Sequence, residues 1–143
     1  MIRQLILQNI FKCFNDMPDA GASFSVKLCT DIPVNSDPLF PVDFSLSPGH
    51  TFLTLIKTNG AQNITQSFGF YPDSRWNIAG FSVTSKIKDN GVQYNEHEYN
   101  ASIVMNNISA AQFNQILSAS QTAAQSNYNL QYNNCTNYAL GYI

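Results

Sequence analysis

Charged residues are scarce in this chain. Only 11% of its 143 residues are Asp, Glu, Lys or Arg, whereas about a quarter is usual in globular domains, and none occurs after Glu98. The net charge is −2, which argues against a protein that binds the phosphates of nucleic acid. Polarity comes instead from 17 Asn, 10 Gln and 14 Ser, a composition that favours an extracellular or envelope-exposed bacterial protein.

Long hydrophobic runs are also missing. No apolar stretch approaches 18 residues, so we expect no transmembrane segment. The first ten residues are too short and too rich in amides for a recognisable signal peptide, and they lack a small-residue cleavage site. The length predicts a single domain over residues 1–143 that needs no metal or disulfide to fold.

The three cysteines match no metal-binding pattern. Cys13, Cys29 and Cys135 include no CxxC pair, so neither a metal nor another cofactor is expected. Cys13 and Cys29 either form a disulfide in an oxidising compartment or stay as two buried thiols. Cys135 is the odd cysteine, and an odd cysteine with a histidine elsewhere in the chain is typical of a nucleophile.

The first third of the chain has little regular pattern. Apolar residues at near-helical spacing predict a short N-terminal helix: Ile2, Leu5, Ile6, Ile10 and Cys13. A turn over residues 17–21 and a strand over Phe24–Leu28 follow. Four prolines between Thr30 and Pro48 predict a loop.

Two hairpins are predicted in the middle of the chain. The first joins strands over His50–Lys57 and Gln62–Phe70 through Asn59-Gly60, which would set Thr58 opposite Ala61. A break at residues 71–73 ends it. The second joins Phe81–Lys88 to Val92–Met105 through Asn90-Gly91.

Two helices are predicted in the last third. Ser109 to Gln112 reads as a capping box, and an apolar stripe follows it: Phe113, Ile116, Leu117 and Ala124. A short helix over Cys135–Leu140 ends at Gly141. The fold class is therefore α+β, an antiparallel sheet of about five strands with helices packed on one side.

Cys135 is the leading candidate for chemistry. Asn134 before it is a good helix N-cap, which places the cysteine in the first turn, where backbone N–H groups and the helix dipole favour a thiolate. A thiolate is the nucleophile of acyl transfer, and the Cys135 N–H could donate to an oxyanion. His50, after Gly49 at a strand start, is the candidate base. His97, between Glu96 and Glu98, has the pattern of a surface residue.

These elements together resemble a known superfamily. A strand opening with Gly49-His50, a hairpin ending in Gly69-Phe70-Tyr71-Pro72 and a late Asn-Cys-Thr-Asn-Tyr-Ala helix are similar to the circularly permuted papain-like, NlpC-type cysteine hydrolases. The resemblance is to their lecithin retinol acyltransferase-like and PPPDE branches. It covers residues 48–140, leaving 1–47 as an N-terminal extension, and implies the permuted papain-like order, with the histidine strand before the cysteine helix.

The resemblance also implies catalytic roles. Cys135 would be the nucleophile and His50 the general base, then acid. A third residue on the next strand would orient the imidazole; the predicted register favours Ser67, and analogy with amide orienters favours Gln66. Tyr128, Tyr132 and Asn134 are candidates for an additional oxyanion donor.

The predicted function is that of a cysteine peptidase or amidase. It would cleave an amide or ester through a thioacyl intermediate, on a peptide or peptidoglycan-like substrate, in a secreted or envelope-exposed bacterial protein. The alternative is a non-catalytic binding or structural module on the same fold, which a Cys135–His50 separation beyond hydrogen-bond reach would favour. The oligomeric state stays open.

Overall fold

A five-stranded antiparallel sheet organises the chain. The computed structural model describes residues 11–31, 49–73, 82–89 and 99–141. The strands lie in the order β4-β3-β2-β1-β5. They are β1 (Ser23–Asp31), β2 (His50–Asn59), β3 (Gln62–Pro72), β4 (Ser85–Asp89) and β5 (Ala101–Ile108), and a 3-10 helix (Lys12–Asp16), α1 (Ala110–Ala123) and α2 (Cys135–Leu140) accompany them. The predicted α+β class with a five-stranded antiparallel sheet is confirmed.

Both α-helices pack on one face of the sheet, which we call the helix face. Its buried residues alternate along three strands: Val26, Leu53, Leu55, Phe68 and Phe70. In α1 the Phe113 ring lies 4.9 Å from that of Phe24 on β1. In α2 the Tyr138 ring stacks on Phe70 at 4.9 Å. Burial of such rings stabilises the fold by about 1.5–3 kcal/mol each.

The first predicted hairpin is confirmed, with a shifted turn. Asn59 pairs with Gln62, and Thr58 pairs with Asn63 rather than with Ala61. The loop residues are therefore Gly60 and Ala61, and Gly60 has a φ of 58°, as the first position of a type II′ turn requires. Asn59 stays in the strand because its side-chain amide donates to the Ala20 carbonyl at 3.0 Å.

The second predicted hairpin is wrong. β4 pairs with β3 and β5 pairs with β1, so the two strands lie at opposite edges of the sheet. Ile87 on β4 lies opposite Phe70, while Met105 on β5 lies opposite Val26. Each strand thus extends the apolar helix face at one of the two edges that the β1–β2–β3 meander leaves open. The turn predicted at Asn90-Gly91 lies outside the described residues.

The helix caps match the predictions. The Ser109 hydroxyl accepts from the Gln112 backbone N–H and the Gln112 side chain accepts from Ser109 N–H, a complete capping box. Three of the four stripe residues, Phe113, Ile116 and Ala124, are buried, and Leu117 is partly buried. No helix within the described ranges combines the length and apolarity needed to cross a bilayer.

The N-terminal predictions fall largely outside the described ranges. Ile2, Leu5, Ile6 and Ile10 lie outside them, and Cys13 lies in the 3-10 helix. Of the loop predicted from Thr30 to Pro48, residues 32–48 also lie outside them, whereas Thr30 and Asp31 belong to β1. Cys13 and Cys29 are not joined by a disulfide. Cys13 packs against the helix-face core, whereas Cys29 pairs with Phe52 on the other face of the sheet. Burial raises the pKa of the Cys29 thiol.

A buried lysine joins the N-terminal segment to the sheet. Lys57 lies on the helix face of β2 with only 3% of its surface exposed. Its ammonium donates to the carbonyls of Phe14, at 2.9 Å, and Met17, and to the Asp19 carboxylate at 2.6 Å. An ammonium has three donors, so this one is fully satisfied without water.

The Asp19–Lys57 pair predicts an acid-dependent contribution to stability. The hydrogen bond from Lys57 lowers the pKa of Asp19 from its ordinary 3.8. Since the folded chain binds this proton less readily than the unfolded chain, the contribution is complete above about pH 5 and is lost as the pH falls through the folded-state pKa. Asp19 is about half exposed, so we expect less than about 1 kcal/mol.

Urea unfolding of the wild type and of Asp19→Asn, from pH 2 to 6, measures this contribution. The stability difference between the two should shrink as the pH falls. A difference that stays constant or grows in acid would contradict the prediction.

Candidate functional site

Cys135 begins α2, as predicted from its N-cap. The Asn134 side chain accepts hydrogen bonds from the backbone N–H groups of Thr136, at 2.9 Å, and Asn137, at 3.0 Å. The Asn137 side chain accepts in return from the Asn134 N–H. Cys135 is partly buried. The resemblance offered Asn134 as an oxyanion donor, but the side-chain nitrogen that would donate is bonded to the Leu130 carbonyl at 2.8 Å.

Tyr128 is the polar neighbour of Cys135. Burial raises the pKa of the Tyr128 phenol, and the adjacent Cys135 raises it further. The phenol therefore stays protonated at neutral pH, where it can donate a hydrogen bond but cannot act as a base. Tyr132, the other tyrosine considered, is 74% exposed.

The first turn of α2 lies on the helix face. The Thr136 hydroxyl is 3.1 Å from the hydroxyl of Thr51 on β2. Thr51 shares its face with Leu53 and Leu55, because side chains two residues apart along a strand point the same way. The cysteine end of α2 is thus anchored over the start of β2.

His50 lies on the opposite face. Its neighbour Thr51 faces α2, so strand alternation directs His50 the other way. The imidazole covers Gly69 so closely that a Cβ there would be 2.5 Å from His50 Nε2. It also stacks on Tyr71, with ring centroids 4.2 Å apart. Gly69 and Tyr71 alternate with Phe68 and Phe70 of the helix face.

The Cys135–His50 pair stays a prediction, and strand alternation directs the two side chains toward different faces of the sheet. The sheet backbone lies between the helix face, which carries Cys135, and the face that carries His50. An imidazole must approach a thiol within about 3–4 Å to take its proton. Catalysis by this pair would therefore require the His50 side chain to turn toward the helix face.

The two candidate orienting residues also lie away from His50. Ser67 does share the face of His50, but it pairs with Thr54, and its hydroxyl is 2.7 Å from that of Thr54. Thr54 is four residues along β2 from His50, or about 13 Å. Gln66 is buried on the helix face opposite Leu55, and its amide donates to the Ser67 carbonyl.

Two contacts at this end of the sheet were not predicted from the sequence. Tyr71 lies in the predicted strand break, yet β3 continues to Pro72 and brings the ring against His50. The sequence pattern predicts no contact for Thr51 beyond its strand. Adjacent residues of a strand point to opposite faces, so the sequence does indicate that either His50 or Thr51 must face away from α2. His97 lies outside the described residues.

No cluster of three or more His, Cys, Asp or Glu side chains occurs within residues 11–31, 49–73, 82–89 and 99–141. Comparison with protein-family models, with curated proteins and with solved structures finds no match for this chain.

Proposed function

We propose that this chain is a non-catalytic interaction module that binds an extended peptide segment along the edge strand β5. The observation that carries the proposal is the chemistry of that edge. Ile103 is 60% exposed and Val104 is 42% exposed, and no residue of β5 is charged.

Edge strands present backbone N–H and C=O groups that can pair with another chain, and stable monomers usually protect them with charge, proline or short length. β5 has eight residues without charge or proline. β4, the other edge, carries Lys86 and Lys88 within five residues. Within the part of the chain that the structure describes, one edge of this sheet is thus protected by charge and the other is open, as expected where an added strand binds.

A groove beside β5 would hold the side chains of the added strand. It measures about 430 Å³ and lies between β5, α1 and the end of α2. Met105 and Ile108 line it from the strand, Ile116 from α1 and Leu140 from α2. Leu140 is 55% exposed. Backbone pairing with side-chain pockets at alternate positions is how strand addition combines affinity with specificity.

A synthetic peptide tests the proposal directly. The probe is an acetylated, amidated peptide of three threonine–valine repeats, labelled with fluorescein and followed by anisotropy. We expect the wild-type chain to bind it and Val104→Glu to weaken binding by at least about tenfold, because the new carboxylate must be desolvated. Ser118→Glu, an exposed position on α1, is the matched control and should bind as wild type. Equal binding by all three chains, or no binding by a wild-type chain that is monomeric at the assay concentration, would contradict the proposal.

A cysteine hydrolase of permuted papain-like order is the second candidate function. The location of Cys135 favours it, since a partly buried thiol at a helix start lies beside the protonated Tyr128 hydroxyl, a suitable donor to an oxyanion. This candidate requires the imidazole of His50 to leave Gly69 and reach the helix face. Its substrate class would be a peptide or peptidoglycan-like amide, outside the cytoplasm of a bacterium.

Alkylation of Cys135 distinguishes the two candidates. Iodoacetamide labelling is followed by mass spectrometry on the peptide that contains Cys135, at pH 6 and pH 8, so that Cys13 and Cys29 need no substitution. We expect His50→Ala to leave the rate within about twofold at both pH values, because the two side chains lie on opposite faces. A loss of tenfold or more at pH 6 would show a thiolate–imidazolium pair and favour the hydrolase.

A further inference from the structure

We infer that the occupant of the β5 edge is a second copy of this chain, paired antiparallel through β5 to make a closed dimer with a continuous ten-stranded sheet. This inference rests on the proposed function, since it names the partner of the same edge.

Charge is the first argument for self-pairing. In the dimer, a two-fold axis between the two β5 strands brings each residue near the axis close to the same residue of the partner. Any charge there would therefore face a like charge. β5 has none, and no charged residue follows Glu98 in the sequence. β5, α1 and α2 therefore bring no like charges to a β5–β5 contact, and Lys27, beside Val104 on β1, lies one strand farther from the axis.

The contrast between the two edges explains why such an assembly would close. Pairing of β4 with β5 of the next copy would repeat without end and make a fibre. Lys86 on β4 is partly exposed and pairs with Asp73 at 3.4 Å, so covering this edge would desolvate charge. Pairing β5 with β5 uses the edge that the described residues leave uncovered in each copy, and it leaves the β4 edges with their lysines outside.

The geometry of β5 locates the axis near Val104. The regular register with β1 runs from Ala101 to Asn106, and Asn107, at a φ of 59°, ends it. Val104 and Ile103, the two exposed hydrophobic residues of the strand, lie at the centre of this stretch. In the dimer the Val104 side chains of the two copies would be opposite or diagonal to each other.

Sedimentation equilibrium of the full chain tests the inference. We expect a mass of twice 15.9 kDa that dissociates on dilution. Val104→Glu should be monomeric, and it should stay folded, because Lys27 lies directly opposite Val104 on β1 and pairs favourably with the carboxylate. Ser118→Glu should remain dimeric. A monomeric wild type, or a dimer that Val104→Glu does not disturb, would overturn the inference.

Mixing two charge variants tests the position of the axis. Val104→Glu and Val104→Lys should each be monomeric alone and should form a one-to-one dimer when mixed, because opposite charges then meet across the axis. Circular dichroism first checks that Val104→Lys is folded, since the new lysine lies opposite Lys27. Failure of the mixture to associate would overturn pairing about Val104. Binding of the threonine–valine peptide distinguishes failure of self-pairing from failure of the proposed function. A monomeric chain that still binds the peptide contradicts self-pairing alone, whereas one that does not bind it contradicts the proposed function as well.

Discussion

Replacing Lys57 by Met should destabilise the fold by about 2–4 kcal/mol. The substitution keeps the apolar stem but removes the ammonium, which leaves the carbonyls of Phe14 and Met17 without their donor in a buried site. Each such group costs about 1–3 kcal/mol. The Asp19 carboxylate adds little to this cost because it is about half exposed and regains water. Urea unfolding followed by circular dichroism measures the loss.

Lys86→Met is the matched control. Lys86 is also a strand lysine with an aspartate partner, but its side chain is 38% exposed and the distance to Asp73 is 3.4 Å. Its replacement should cost less than about 1 kcal/mol. Equal losses in the two variants would mean that the Lys57 ammonium is hydrated and that it does not hold the N-terminal segment on β2.

Gly69→Ala should cost about 1–3 kcal/mol in the wild type and less than about 1 kcal/mol in a His50→Ala background. The added methyl would lie 2.5 Å from His50 Nε2 and 3.0 Å from Tyr71 Cε2. In the wild-type background the imidazole must therefore move to make room for the methyl, whereas His50→Ala removes the imidazole and with it most of the cost. Unfolding of the four chains of this double-mutant cycle gives the coupling free energy.

This cycle tests the face on which His50 lies. A methyl at residue 69 projects away from the helix face, so it can collide with the imidazole only if His50 lies opposite Cys135. An identical cost in both backgrounds would place the imidazole elsewhere and would reopen the hydrolase candidate.

The local features of the fold were predictable from the sequence. The Asn59-Gly60 dipeptide and the flanking strands predict the first hairpin, and Ser109 and Asn134 predict the starts of α1 and α2, because turns and caps depend on residues a few positions apart. The partners of β4 and β5 were not predictable in this way. Both edges of the β1–β2–β3 meander can accept an apolar strand, and the Asn90-Gly91 dipeptide says nothing about which edge each strand takes.

The site was predictable only in part, for a related reason. The cap at Asn134 correctly located Cys135 at a helix start. The face of His50 could not be deduced, because residues 50 to 55 of β2 are all buried and show no polar–apolar alternation. The side of the sheet that α2 covers decides the pairing, and that is a property of tertiary packing.

The pairing of β1 with β5 has a consequence for how the chain folds. Thr30 pairs with Ala101 and Phe24 with Ile108. The ladder between β1 and β5 therefore cannot form until residues 101–108 have been synthesised. Contacts between residues so far apart in sequence slow folding, because the intervening loop must close before the contact forms. During synthesis the β1–β2–β3 meander can form first, with β1 as a temporary edge until residues 101–108 leave the ribosome. The nascent chain should therefore be most prone to misassociation after β3 has left the ribosome and before residues 101–108 have done so.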